Sequence, residues 1–332
     1  MRKILIYLII LTFVACKNDP TKLLPNVTGK SGEIVLVIEP SQWSSDAGKE
    51  FRRAFTQAYP ALPQNEPLFD LIHIPFSAFS NIFKTHRNLI VAKVDKEAKE
   101  PKILIRKNFW AKPQLIINII APSGESLANL IKEKGDILAT RVLKKEMERY
   151  ADVYKKNMKI EITEKLKRKF GIDIIIPSGY TLDLDTTNFV WLERRGLDDA
   201  VQGLLIYTYD KPEVELTTPF IMAKRNQVTK KYVPGPVANS YMAVENEMEP
   251  YRREIKMDGT NFIELRALWK VENDFMGGPF VSFTFVDEKK NKVINVDGFV
   301  YAPRLDKRNY IQQIEAVLNT VRFNKNESNN NK

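Results

Sequence analysis

Few side chains in this sequence are suited to covalent or metal chemistry, and they are scattered along it. The chain has two histidines, His73 and His86, and one cysteine, Cys16. A His/Cys zinc site takes three or four such ligands, so this set cannot build one. One cysteine also excludes an intramolecular disulfide framework. His73 sits in a strand-like run (LIHI, residues 71–74), where a core or half-exposed ring is expected; His86 precedes Arg87 in a polar turn and is expected at the surface. No Gly-rich phosphate loop, G-x-S-x-G elbow or H-E-x-x-H helix occurs, and no cofactor is implied. A site made of Asp, Glu, Arg and Tyr stays open. Asp183 and Asp185 look superficially like part of a calcium loop, but the turn glycine and the distal glutamate are missing. Their alternation with Leu182 and Leu184 reads instead as the wet face of a strand.

Cys16 has the clearest chemical context. Arg2 and Lys3 form a cationic start, and residues 4–15 (ILIYLIILTFVA) are an unbroken apolar run. Twelve residues are too few for a permanent helical span, which takes about 20, and suit a secretory signal. The run ends Phe13-Val14-Ala15-Cys16, which resembles a bacterial lipobox, with Phe13 where Leu is usual. There the thiol receives a diacylglyceryl group and the leader, residues 1–15, is removed. The alternative is ordinary signal cleavage after Ala15, leaving a free thiol. Two acyl chains give stable anchoring where one does not, so the first expected partner is a membrane, held through the N-terminal lipid. Residues 16–32 (CKNDPTKLLPNVTGKSG) read as the tether.

The chain carries 51 Lys+Arg against 41 Asp+Glu, a formal charge of +10 that falls to +8 when Arg2 and Lys3 leave with the signal. Most of it is local: residues 132–169 hold thirteen Lys/Arg and seven Asp/Glu. That stretch is either a solvated helix face or a contact for anionic lipid or envelope polymer. Glu161 with Lys165 and Glu164 with Arg168 are i,i+4 pairs in the favourable order. An exported protein is not expected to meet nucleic acid. The loop RKNFWAKP (residues 106–113) sets Phe109 and Trp110 among Arg106 and Lys112. Such a loop can contact a partner or ligand by stacking and cation–π attraction, or its rings can close the end of the core. Trp43, after the first strand, poses the same choice, while Trp191 and Trp269 lie in strand patterns and are expected in the core.

The elements that must position these residues fall into two sets. Strands are expected at 33–39, 71–76, 89–94, 102–106 and 114–121, with helices at 47–58, 77–84 and 125–156. Gly135 inside the last helix is a candidate bend. After a helix at 160–170, strands at 172–177, 180–185, 189–194 and 203–209 and a helix at 219–229 lead into an antiparallel series at 240–301. A helix at 307–321 closes the chain. The reading is α+β / α/β: a mixed-sheet α/β domain (33–159), an antiparallel α/β sandwich domain (160–323) and a disordered tail (324–332).

Several runs carry a resemblance: ALPQNEPLFDL (61–71), HRNLIV (86–91), NFWAKPQLI (108–116), IPSGY (176–180) and FVWLERR (189–195). They resemble an uncharacterised Bacteroidota lipoprotein family, the one carrying domain of unknown function 4837. With the Cys16 motif the likeness covers essentially the whole exported chain. It implies a lipid-anchored envelope protein of a Gram-negative bacterium, on the outer membrane, with no assigned activity. Residues 172–180 and 300–323 are also similar to the PsbP/DcrB-like sandwich, a fold group of mostly binding and assembly modules; fold alone assigns no function. Two readings follow. One is a non-enzymatic binding or assembly module with an envelope protein or glycan as partner. The other is a carboxylate- and Arg-based enzyme, for instance a glycan hydrolase, which needs two carboxylates converging in a pocket.

Overall fold

In the computed structural model, residues 23–196 and 198–323 are described. The expected signal peptide, Cys16, the first part of the expected tether and the 324–332 stretch lie outside the described residues. Runs of β-branched and aliphatic residues, apolar at consecutive positions, suit strands covered on both faces. The first half uses them for β1 (Glu33–Val37), β2 (Asp70–Ile74), β3 (Asn88–Val94), β4 (Lys102–Lys107) and β5 (Leu115–Ala121). Between them lie the short α1 (Pro40–Trp43), α2 (Asp46–Phe55) and α3 (Asn81–Lys84). The sheet order is β2-β1-β3-β5-β4, parallel except for β4, so the sheet is mixed as expected.

The long helix α4 (Gly124–Lys156) starts at Ser123, whose side chain accepts from the Ser126 N–H, and runs back under this sheet. Gly135 lies where α4 meets α2: a Cβ there would stand 2.7 Å from the Ala54 Cβ. The glycine therefore serves close helix approach, an alternative to the expected bend.

The second half opens with α5 (Ile160–Phe170) and β6 (Ile172–Asp173), then β7 (Thr181–Asp185), β8 (Phe189–Arg195) and β9 (Val201–Asp210). After α6 (Thr218–Tyr232) come β10 (Tyr241–Val244), β11 (Tyr251–Met257), β12 (Thr260–Glu272), β13 (Gly277–Asp287) and β14 (Lys292–Tyr301). The chain continues through α7 (Arg308–Leu318) to β15 (Arg322–Phe323). An eight-stranded antiparallel sheet runs β10-β12-β13-β14-β9-β8-β7, with β11 also on β12. The strand expected over 172–177 shortens to β6, which pairs with β15. Beyond it the backbone finds other partners: the Ile175 N–H donates to Thr320 Oγ1, and the Ile176 carbonyl accepts from Lys159.

The layers stack as small sheet, helices α2, α4 and α7, large sheet, and α6. One apolar core is shared by both halves. It runs from Leu36, Ile90 and Ile117 of the small sheet through Phe51, Ile131 and Ile314 to Val281 and Val296 of the large one. Gly298 of β14 lets α7 sit close, since a Cβ there would meet the Ile314 side chain at 2.2 Å. A second core, with Phe189, Trp269, Phe280 and Phe299, lies between the large sheet and α6. This is the two-domain α+β fold that the sequence indicates. The outer face of the small sheet carries a third, thinner cluster, Val35, Val37, Leu89 and Ile116, partly covered by Phe76, Phe79, Phe83 and Trp110.

Candidate functional site

The aromatic-cation loop is built by one buried glutamine. Gln114 Oε1 accepts from the Trp110 and Ala111 N–H groups at 3.0 and 3.3 Å. Its Nε2 donates to the Lys84 and His86 carbonyls at 2.6 and 2.8 Å. Asn108, in the left-handed region at φ 52°, closes the turn by accepting from the Gln114 N–H through Oδ1. The loop is therefore fixed to the end of α3. Trp110 packs edge-on against Phe79, and Phe109 against Trp110 at 4.9 Å. The Arg106 guanidinium stands over the Phe109 ring at 5.0 Å, and Phe109 is 47% exposed. Trp110 thus covers the edge of the core while Phe109, Arg106 and Lys112 face outward.

Trp43 belongs elsewhere. It follows the C-terminal end of β1, whereas the 106–113 loop precedes the N-terminal end of the co-directional β5, so the two lie at opposite ends of the small sheet. The Trp43 ring stacks on His73 at 4.8 Å, with the Arg52 guanidinium 4.3 Å above it. His73 is half-buried and its Nε2 lies 3.0 Å from the Ile38 carbonyl. Trp269 is core, its Nε1 donating to the Val300 carbonyl, and Trp191 is half-buried.

His86 departs from expectation: it is buried, with Nε2 3.4 Å from Glu33 Oε2 and Nδ1 3.2 Å from the Asn88 carbonyl. The polar neighbours that made it look like a surface turn are drawn inward by Glu146. This fully buried carboxylate on α4 accepts from Arg87, Arg149, Asn88 Nδ2 and Ser31. Burial pushes Arg149 down to about 10, against the attraction of Glu146. The spacing along α4 is an available signal, since Glu146 follows Leu138 and Val142 on the buried stripe; its charge is what hides it, and the adjacent Arg87-Asn88 pair is a second hint.

The i,i+4 pairing expected along α5 is also revised. Lys165 donates to Asp185 at 2.6 Å, and Lys169 bonds the same carboxylate, so two α5 lysines tie the helix to β7. They hold Asp185 below the usual carboxylate range.

A groove of about 1070 Å³ lies at the end of the large sheet. Phe262, Phe285 and Phe323 form its apolar side, with ring centroids 4.8 and 5.3 Å apart. Lys167, Arg168, Lys289 and Lys290 stand around it with Glu164, Glu254, Asp287 and Glu288. Three of these carboxylates already have structural work. Asp287 Oδ1 accepts from the Lys289 and Lys290 N–H groups of its turn, Glu288 pairs with Lys211 at 2.7 Å, and Glu254 with Arg252 at 3.5 Å. Burial pushes up the carboxyls of Glu193 and Asp297, and neither lines the groove. The arrangement is suited to holding a ligand with an apolar part and charged or polar substituents.

Among proteins of known sequence, no curated one matches this chain. Two family models do match. The likeness to a single family over the whole exported chain divides: the runs at 61–71, 86–91 and 108–116 fall in a different model from those at 176–180 and 189–195. Residues 27–155 match domain of unknown function DUF8532, and residues 159–320 match domain of unknown function DUF4837.

Proposed function

We propose that this protein is a lipid-anchored cell-envelope binding module, held in the membrane through Cys16 and taking a ligand or partner segment in the groove at the end of the large sheet. The observation that carries the reading is the groove itself: apolar on one side and rimmed by charges of both signs, with three of its four carboxylates committed to turns and ion pairs. The signal-like run that ends at Cys16 supports export and anchoring. An envelope protein or glycan is the class of partner such a location offers. An enzyme of the carboxylate type gains less support, because it would need a pair of uncommitted carboxyl groups facing one another in the groove.

The test is site-specific photocrosslinking in cells. A benzoylphenylalanine at Asn261 or Lys290, on the groove, is expected to give a reproducible light-dependent adduct. The same group at Lys132, on the exposed side of α4, is expected to give none. No adduct at either groove position, or equal labelling at Lys132, contradicts the reading.

A further inference from the structure

Three segments meet at the end of the small sheet where the tether enters. The Lys112 N–H donates to the Pro25 carbonyl at 2.9 Å, Asn26 bridges to Lys112, and Thr28 bridges to His86. The first segment is thereby laid along the foot of β3 and β5, beside α3 and the 106–113 loop. Residues 23–32, 75–94 and 101–123 contain eight Lys or Arg and no Asp or Glu. The two acids that open β1 and β2 at this end are engaged: Glu33 accepts from the Lys30 N–H and lies beside His86, and Asp70 pairs with Arg308. Arg87 is consumed by Glu146, and Lys93 and Lys102 pair with Asp95 and Glu100 at the far end. Among the described residues, no ion pair engages Lys84, Arg106, Lys107 or Lys112. Between these cations stand exposed apolar groups: Leu23 at 95%, Ile82 at 74% and Phe109 at 47%.

We infer that this tip docks on the anionic surface of the bilayer that holds the anchor, with Arg106 and Lys112 among the headgroups and Phe109 and Ile82 at the interface. Cations next to exposed aromatic and aliphatic side chains are the combination that interfacial binding uses. Geometry supplies the occupant. Eight residues lie between Cys16 and Pro25, so even a fully extended tether spans at most about 30 Å. That places the tip within reach of the membrane. The inference rests on the Cys16 anchor of the proposed function, and its test is made without the lipid so that the two can fail separately.

The mature chain, residues 16–332 with Cys16→Ala, would be mixed with vesicles of phosphatidylglycerol and phosphatidylethanolamine, and separately with phosphatidylcholine vesicles, and sedimented at low and high salt. Binding is expected to the anionic vesicles only, and to weaken with salt. Adding Arg106→Glu and Lys112→Glu should reduce it about tenfold or more, whereas Lys132→Glu with Arg141→Glu on α4 should leave it within twofold. Arg106→Lys with Lys112→Arg should retain binding, and thermal unfolding of each variant checks that the fold is kept. Absence of binding to anionic vesicles, equal binding to neutral ones, or loss on the α4 reversal instead of the tip reversal overturns the inference. Loss of acyl labelling at wild-type Cys16 would refute the anchor without touching this result.

Discussion

Arg266→Ala is expected to lower the unfolding free energy by about 3–5 kcal/mol, measured from urea unfolding curves of the unlipidated chain. Arg266 stands on β12 with Glu264 two residues before it, both on the face that looks toward α7. Its Nε donates to Glu264 Oε1 at 2.5 Å and its Nη1 bonds Glu315 of α7. Tyr59, from the first half of the chain, donates its hydroxyl to the same Glu315 at 2.6 Å. Burial works against the Arg266 charge, but Glu315, Tyr59 and Glu264 outweigh it and hold its pKa well above the ordinary arginine value. Without the guanidinium, two buried carboxylates face each other with only Arg253, at the edge, to offset Glu264. Arg266→Lys keeps a charge but loses the fork, so an intermediate loss is expected. A change below about 1 kcal/mol for Arg266→Ala would mean that this network is not desolvated. The cluster also ties the segments matched by the two family models together, with Glu66 accepting from the Lys307 and Arg308 N–H groups and Arg308 bonding Asp70.

Arg225→Met should be nearly as damaging, by about 3 kcal/mol or more, while Arg225→Met with Asp297→Leu should recover most of the loss. Arg225, on α6, is 1% exposed and donates to Asp297 of β14 through Nε at 2.7 Å and Nη2 at 3.2 Å, with its guanidinium 3.9 Å over the Phe280 ring. Its Nη1 has no hydrogen-bond partner, and neither do the nearby Tyr207 hydroxyl and Asn295 Oδ1. Burial is the larger influence on Asp297 and pushes its pKa up despite Arg225. A raised folded-state pKa means that the native chain binds this proton more tightly. Its contribution to stability is therefore present in acid and lost as pH rises through the folded value. Removing one partner leaves an unpaired buried charge; removing both leaves apolar side chains in an already apolar layer. If the double variant is no more stable than Arg225→Met alone, the pair is a net source of stability and this reasoning is wrong.

Much of the fold was legible because it rests on short-range patterns. The β-branched runs of β1, β3 and β5 and the apolar runs of the antiparallel series declare themselves locally. What stayed hidden depends on partners far apart in the chain. Glu146 and Arg149 are charged residues buried against each other and Asn88, and His86 is buried beside Glu33. Glu146 falls on the inward stripe of α4, four residues after Val142, but a charged side chain there does not announce a distant partner. Lys165 was free in sequence to choose Glu161 and took Asp185, because β7 folds back against α5. The groove joins α5, the β11–β12 and β13–β14 turns and Phe323, four separate stretches with no shared motif. The 106–113 loop was visible from its composition, and Gln114, which shapes it, was not.

The proposed anchor at Cys16 is the point on which the proposed location, partner class and docking of the tip all depend. Intact-mass measurement of the detergent-extracted wild-type chain tests it most directly. The account predicts a chain that begins at Cys16 and carries a diacylglyceryl thioether, and a Cys16→Ala chain without acyl mass. A wild-type chain that lacks the acyl mass, or a Cys16→Ala chain that keeps it, would contradict the account.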